Sequence, residues 1–156
     1  MSVKPIPDGY HTVTPYLYVH DTAAAIDFYV KAFGATEVMR MPGPGGSVVH
    51  AEIQIGTSRV MMADENPEWG NKSPRTLGGT SAGYCLYVED ADAVFARAVA
   101  AGATVKRPMA DQFYGDRSGT VTDPFGQMWT IATHTEDLSP EEMQARMDAM
   151  MKGQPG

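Results

Sequence analysis

The sequence predicts an α+β fold made of two copies of one β-α-β-β-β module, followed by a C-terminal helix. Three echoes, in the same order in each half, carry that prediction. Leu17-Tyr-Val-His-Asp21 returns as Leu86-Tyr-Val-Glu-Asp90, an offset of 69 residues. Each copy runs into an alanine-rich stretch that closes on Gly-Ala, at Gly34-Ala35 and again at Gly102-Ala103. Gly56, inside the strand-like segment 50–64, is matched by Gly126 inside 119–133. Ordered echoes at nearly constant spacing are the mark of a duplicated unit.

In the first module, residues 13–19 alternate and are rich in β-branched and aromatic residues, which favours a strand. Asp21 then suits an N-cap, because its carboxylate can accept from free backbone N–H groups of the first helical turn. Ala25, Ile26, Tyr29, Val30 and Phe33 recur at helical spacing, and Gly34 supplies a left-handed stop. Strands follow at 37–41, 48–55 and 59–63, separated by the Pro/Gly tip 42–46 and the turn 56–58. The second module repeats the order: strand 83–88, N-cap Asp90, helix to Ala101, stop Gly102, strands at 104–107 and 119–122, turn Asp123-Pro-Phe-Gly126 and strand 128–133.

The expected organisation is one domain over 1–137, with module one at about 12–65, a linker at 66–82 and module two at about 83–135, then a helix and tail over 138–156. The Gly/Pro/Ser-rich linker reads as a connection or a lid. Ser139, Pro140, Glu141 and Glu142 open the last helix with N-cap, N1 and dipole-compatible residues. Its stripe Met143, Met147, Met150 and Met151 reads as core or dimer contact.

With 156 residues, 43% of them apolar, the chain is long enough for a real core. Its net charge of −7, from 12 basic against 19 acidic residues, argues against a nucleic-acid or anionic-membrane partner, since either needs a basic surface. A single cysteine, Cys85, forms no internal disulfide, and there is no Cys/His cluster at zinc-finger spacing. The N-terminal residues lack a signal-peptide pattern and no apolar run is long enough for a bilayer, so a cytoplasmic location is expected.

The duplicated module, its Leu-Tyr-Val-x-Asp start, and the segments Tyr114-Gly-Asp-Arg117 and Asp123–Thr133, ending in Thr133-His134, resemble the vicinal oxygen chelate superfamily. That group holds glyoxalase I, bleomycin-resistance proteins and extradiol dioxygenases, and the likeness to an uncharacterised glyoxalase-like subgroup spans roughly residues 12–135. It implies that the modules pair into a curled mixed sheet around a cleft, and that the protein is a homodimer. It also implies a divalent metal held by His, Glu or Gln at four positions. Carried onto this chain, those positions are Thr14, Val60, Gly83 and Thr130, with Met62 next on the face of Val60. None is a good ligand for a divalent transition metal. No metal and no cofactor are therefore expected.

Other residues keep chemistry in play. His50 and Glu52 lie two apart on a predicted strand and so share a face, as a metal-binding or acid–base pair or as part of a solvated polar face. Alternation groups Thr14 with Tyr16 and Tyr18, Gly83 with Cys85 and Tyr87, and Thr130 with Met128 and Ala132. These either line a cleft suited to a flat organic ligand or fill a closed core. Trp129 is expected under a helix, and Trp69 over the cleft or on the surface. His20 is expected on the surface, Cys85 as a small buried residue, and Arg117 beside Asp116 or a carbonyl. The expected function is metal-independent binding of a small aromatic or hydrophobic molecule through Thr14, Tyr16, Tyr18, His50, Glu52, Val60, Met62, Cys85, Tyr87, Met128 and Thr130. The alternatives are a lyase, isomerase or dioxygenase of the same fold with a non-standard metal or acid–base site, and an interaction protein that uses the Met-rich helix.

Overall fold

A computed structural model describes residues 2–153. Module one comprises β1 (Tyr16–Val19), α1 (Thr22–Phe33), β2 (Thr36–Pro42), β3 (Val48–Ile55) and β4 (Ser58–Asp64). The linker carries a 3-10 turn over Pro67–Trp69 and one short α-helix, α2 (Pro74–Leu77). Module two comprises β5 (Gly83–Tyr87), α3 (Ala91–Ala100), β6 (Thr104–Asp111), β7 (Asp116–Thr122) and β8 (Met128–His134), and α4 (Pro140–Lys152) closes the chain.

Each module forms its own four-stranded mixed sheet, in the orders β1-β4-β3-β2 and β5-β8-β7-β6, with the first strand parallel to the last. One helix lies on one face of each sheet, and α1 and α3 meet where the modules join. The helices end as the sequence predicts. Asp21 and Asp90 accept from the backbone N–H groups of Ala24 and Ala93, each at 3.1 Å, and Gly34 stops α1 at φ 68°. Alanine at position 34 would be strained by that positive φ.

Three boundaries differ from expectation. β1 begins at Tyr16 rather than Val13, because Pro15 has no N–H to give a ladder and Val13 is exposed. β6 and β7 are longer than the sequence suggests, and β7 starts at Asp116 instead of Gly119. The loss of β-branched alternation at Gly115–Gly119 hides the early part of that strand.

The core lies between the helices and the inner faces of the sheets. Leu17, Val19, Ile53, Met62, Val121 and Ile131 close against Ile26, Tyr29, Ala32 and Ala98, all essentially buried. Trp129 lies under the helices as expected, with its ring 5.4 Å from Tyr29 and 4.9 Å from Phe33. Burying each such aromatic side chain is worth about 1.5–3 kcal/mol.

A buried carboxylate ties the modules together. Asp123, in the turn before β8, accepts from the Tyr29 hydroxyl of α1. It also accepts from Trp129 Nε1 and from the backbone N–H groups of Phe125 and Gln127, each at 2.9 Å. Burial pushes its pKa above the usual carboxylate range even though four donors favour the ion.

The methionines of α4 do not enter the core. Met147, Met150 and Met151 are exposed, and the helix is tied back by Arg146, which bonds Glu136 twice at 3.0 Å and the Phe113 carbonyl at 3.3 Å. No described helix is long and apolar enough to cross a membrane.

Candidate functional site

The helix-covered face of each sheet is apolar, so the polar and aromatic side chains at alternate positions project from the other face. On the open face of module one, Tyr16 and Tyr18 stack with ring centroids 4.8 Å apart and planes 28° apart. Two strands away, His50 and Glu52 join them: Tyr16 Oη lies 2.8 Å from His50 Nδ1, and His50 Nε2 lies 2.9 Å from Glu52 Oε2. An ionised Glu52 only accepts, so His50 Nε2–H donates to it, and in the neutral imidazole this leaves Nδ1 to accept from the Tyr16 hydroxyl. The result is a directed chain, Tyr16 to His50 to Glu52. Burial, and secondarily Tyr18, raise the Tyr16 pKa, so its hydroxyl keeps its proton.

The tyrosine pair walls a cleft of about 220 Å³ that the start of the linker covers. Trp69 and Val49 complete its apolar lining, while Asp64, Glu65, Asn66 and Asn71 supply polar groups. On the other side of the same pair lies a depression of about 180 Å³ reached by Lys72, Leu77, Tyr84 and Gln127. Among the described residues a wider groove of about 540 Å³ passes His20, Arg75 and Phe125, but it is shallower and holds none of the predicted site residues.

The linker is held in place. Glu65 accepts from the Ser73 backbone N–H at 3.0 Å and from the Thr76 hydroxyl at 2.9 Å, and these bonds lower its pKa. Asn66 and Asn71 exchange backbone bonds at 2.7 and 3.1 Å. Pro74 seats the short helix against module two at Gly126, where φ is 87° and an added methyl would sit 2.6 Å from the Pro74 Cβ. Asp64 fixes the cleft wall from behind, accepting from the N–H groups of Thr22 and Val48 at 2.8 Å each.

The open face of module two carries Cys85, Tyr87, Met128 and Thr130. Tyr87 donates to Asp116 at 2.7 Å, which pushes its pKa up to about 12. Asp116 also faces His134 Nδ1 at 2.8 Å, and His134 Nε2 faces Asp137 at 2.8 Å. Both carboxylates accept, so His134 donates twice and its pKa is raised, while Asp116 is lowered by Tyr87 and His134 against its own burial. Cys85 is exposed rather than buried, and desolvation of its sulfur with the nearby Asp116 charge raises the thiol pKa. That makes it a poor nucleophile.

The structure therefore brings Tyr16, Tyr18, His50 and Glu52 together, with Thr14 just before β1 half-buried. Val60 and Met62 are placed elsewhere: both point into the helix-covered core at 5% and 0% exposure. Counting from the turn glycine misplaced them by one residue, because the turn of module two is longer, and Met61, paired with Tyr16, takes the open-face position. Two further expectations change. His20 is partly buried against Phe125 with Nδ1 lacking a partner, and Arg117 reaches Asp92 at 2.7 and 2.9 Å instead of Asp116. Asp64, Asp116 and Asp123 were missed. Asp116 alternates with Ser118 and Thr120, a pattern visible once β7 is extended.

Residues 10–131 match the Glyoxalase/Bleomycin resistance protein/Dioxygenase superfamily. The chain belongs to this superfamily. It is 46% identical over 144 residues to an uncharacterised protein of Mycobacterium bovis, covering 90% of this chain and 95% of that one. It resembles the crystal structure of TioX from Micromonospora sp. ML1 at 26% identity and TM-score 0.62, over 83% of this chain and all of TioX. An Arabidopsis thaliana gene product matches at 28% identity and TM-score 0.63, over 80% of this chain and 98% of that structure.

The metal that glyoxalase-like enzymes of this superfamily use does not fit here. Corrected for register, the four ligand positions hold Thr14, Met61, Gly83 and Thr130, and the Thr130 hydroxyl is engaged with that of Thr120 at 3.0 Å. Hydroxyls, a thioether and a glycine do not make a divalent transition-metal site. Among the described residues no three His, Cys, Asp or Glu side chains gather in a metal-binding group.

Proposed function

We propose that this protein binds a flat aromatic or hydrophobic small molecule, without a metal ion, in the cleft bounded by Tyr16, Tyr18 and Trp69. The observation that carries the reading is the stacked tyrosine pair, left uncovered by its own sheet and bordering a cleft under an anchored linker. Such lining, apolar with few placed polar groups, is typical of organic-ligand pockets. His50 and Glu52 act behind the wall by fixing the Tyr16 hydroxyl. The test pairs elemental mass spectrometry on protein purified without a chelating tag with a thermal-shift screen of aromatic compounds. Stoichiometric metal, or no stabilisation by any aromatic compound, overturns the reading.

The partner we infer is a second copy. Cys85, Tyr87, Met128 and Thr130 line none of the clefts described above, and Tyr87 is 62% exposed. A homodimer gives that face an occupant, and sedimentation equilibrium tests it. An acid–base enzyme of the same fold is the second reading, favoured by the Tyr16–His50–Glu52 chain, whose hydroxyl could pass a proton through an imidazole to a carboxylate. Loss of turnover in His50→Ala, with ligand binding kept, would establish it.

A further inference from the structure

The cleft beside Tyr16 is one-sided in its electrostatics. Two carboxylates, Asp64 and Glu65, border it, and among the described residues no lysine, arginine or histidine lines it, although His20 lies near enough to Glu65 to help lower its pKa. The carboxylate oxygens already hold backbone and hydroxyl donors, which fixes both side chains in place, with the Glu65 charge at the linker edge of the cleft and the Asp64 charge just behind its wall. A second, independent observation points the same way. With a neutral His50 held by Glu52, the Tyr16 proton goes to Nδ1, so Tyr16 Oη has only lone pairs left to offer. The aromatic walls add a third element, since the faces of Tyr16, Tyr18 and Trp69 carry negative quadrupole density that attracts cations.

We propose that the ligand of this cleft is an aromatic cation: a ring, or fused pair of rings, bearing a positive charge or protonated nitrogen. This rests on the cleft reading given under the proposed function and names its ligand class. The volume supports the size limit, because about 220 Å³ falls below the roughly 300 Å³ at which drug-sized pockets begin. Positive charge is stabilised by the ring faces, by Glu65 at the cleft edge and by Asp64 behind the wall, while an anion has only the neutral donors of Ser47, Asn66 and Asn71 to set against those charges. The excess of acidic residues over the whole chain draws the same class of ligand towards the surface.

The test uses three probes of similar shape and different charge: N-methylquinolinium, quinoline and naphthoate, at neutral pH and low salt, followed by calorimetry and by quenching of tryptophan fluorescence. N-methylquinolinium is expected to bind at least about tenfold tighter than quinoline, with naphthoate weakest, and the advantage should shrink at high salt. Glu65→Gln keeps both linker contacts, since its amide can accept from Ser73 and donate to Thr76, yet removes the charge. It should weaken N-methylquinolinium about threefold to tenfold and leave quinoline unchanged, with a thermal melt reporting its folding. If Glu65→Gln does not fold, the order of the three probes on the unaltered protein decides alone. Quinoline or naphthoate binding as tightly as the cation overturns the charge inference and leaves the aromatic cleft standing. Binding by none of the three overturns the cleft reading and this inference with it.

Discussion

By strand register, Tyr16 in module one corresponds to Cys85 in module two, Tyr18 to Tyr87, His50 to Ser118 and Glu52 to Thr120. The two sheets have the same order and the same helix-covered cores, yet only the first places an ionisable chain across the middle of its open face. The second fills those positions with a thiol and hydroxyls, and moves its charged groups to the strand ends as Asp116 and His134, with Asp137 just beyond. The turns differ as well. A two-residue hairpin joins β3 to β4, whereas the longer turn from β7 to β8 carries Asp123 into the core. Duplication preserved what buries the helices, and the faces free of that duty diverged into separate chemistries.

Asp123 has no counterpart in module one, so its removal tests the asymmetry most severely. Asp123→Ala strands the Tyr29 hydroxyl, the Trp129 indole and two backbone donors in the core, and should cost about 3–4 kcal/mol in chemical denaturation. A smaller contrast lies at β4 and β8. Asp64 serves the α1 terminus and β3, while Thr133, in the same register position, accepts from Ala91 N–H at 2.9 Å and donates to the Val88 carbonyl at 2.8 Å. Asp64→Ala should cost about 1–2 kcal/mol and Thr133→Val about 1 kcal/mol, and thermal melts that rank them otherwise would break the equivalence.

The charged strand ends of module two give a pH signature of their own. The stabilisation from Asp116, whose folded pKa is lowered, is present above the ordinary aspartate value of about 4 and is lost as the pH falls through the folded one. That from His134, whose folded pKa is raised, is complete below about 6.5 and is lost as the pH rises through its folded value. Melting temperature should therefore peak between those limits, and His134→Gln should flatten the alkaline decline. The smallest effect is expected from ending the chain at Asp137. Because α4 buries none of its residues, stability should stay within about 0.5 kcal/mol, and a larger loss would make that helix part of the fold.

Most of the fold was legible because duplicated positions vouch for each other. The caps Asp21 and Asp90 and the stops Gly34 and Gly102 read the same way twice, and the inward Trp129 followed from alternation. The chemistry was harder to read, since it lives where the copies disagree. His50 and Glu52 could be paired by period two, but their link to Tyr16 crosses from β3 to β1, which no local pattern encodes. Val60 and Met62 were misassigned because one turn is longer than its counterpart, and a one-residue slip moves a side chain through the sheet. Asp123 read as turn chemistry, and only the approach of α1 shows that it binds Tyr29.

Neither sheet borrows a strand from the other module, and this has a bearing on biosynthesis. All four strands of module one exist once residue 64 has emerged, so the first half can assemble while the second is still being translated. Until module two follows, the α1 face bearing Tyr29 and Phe33 lacks its cover of Trp129 and Asp123. Completion of the native state would then be a docking of the second module onto that face.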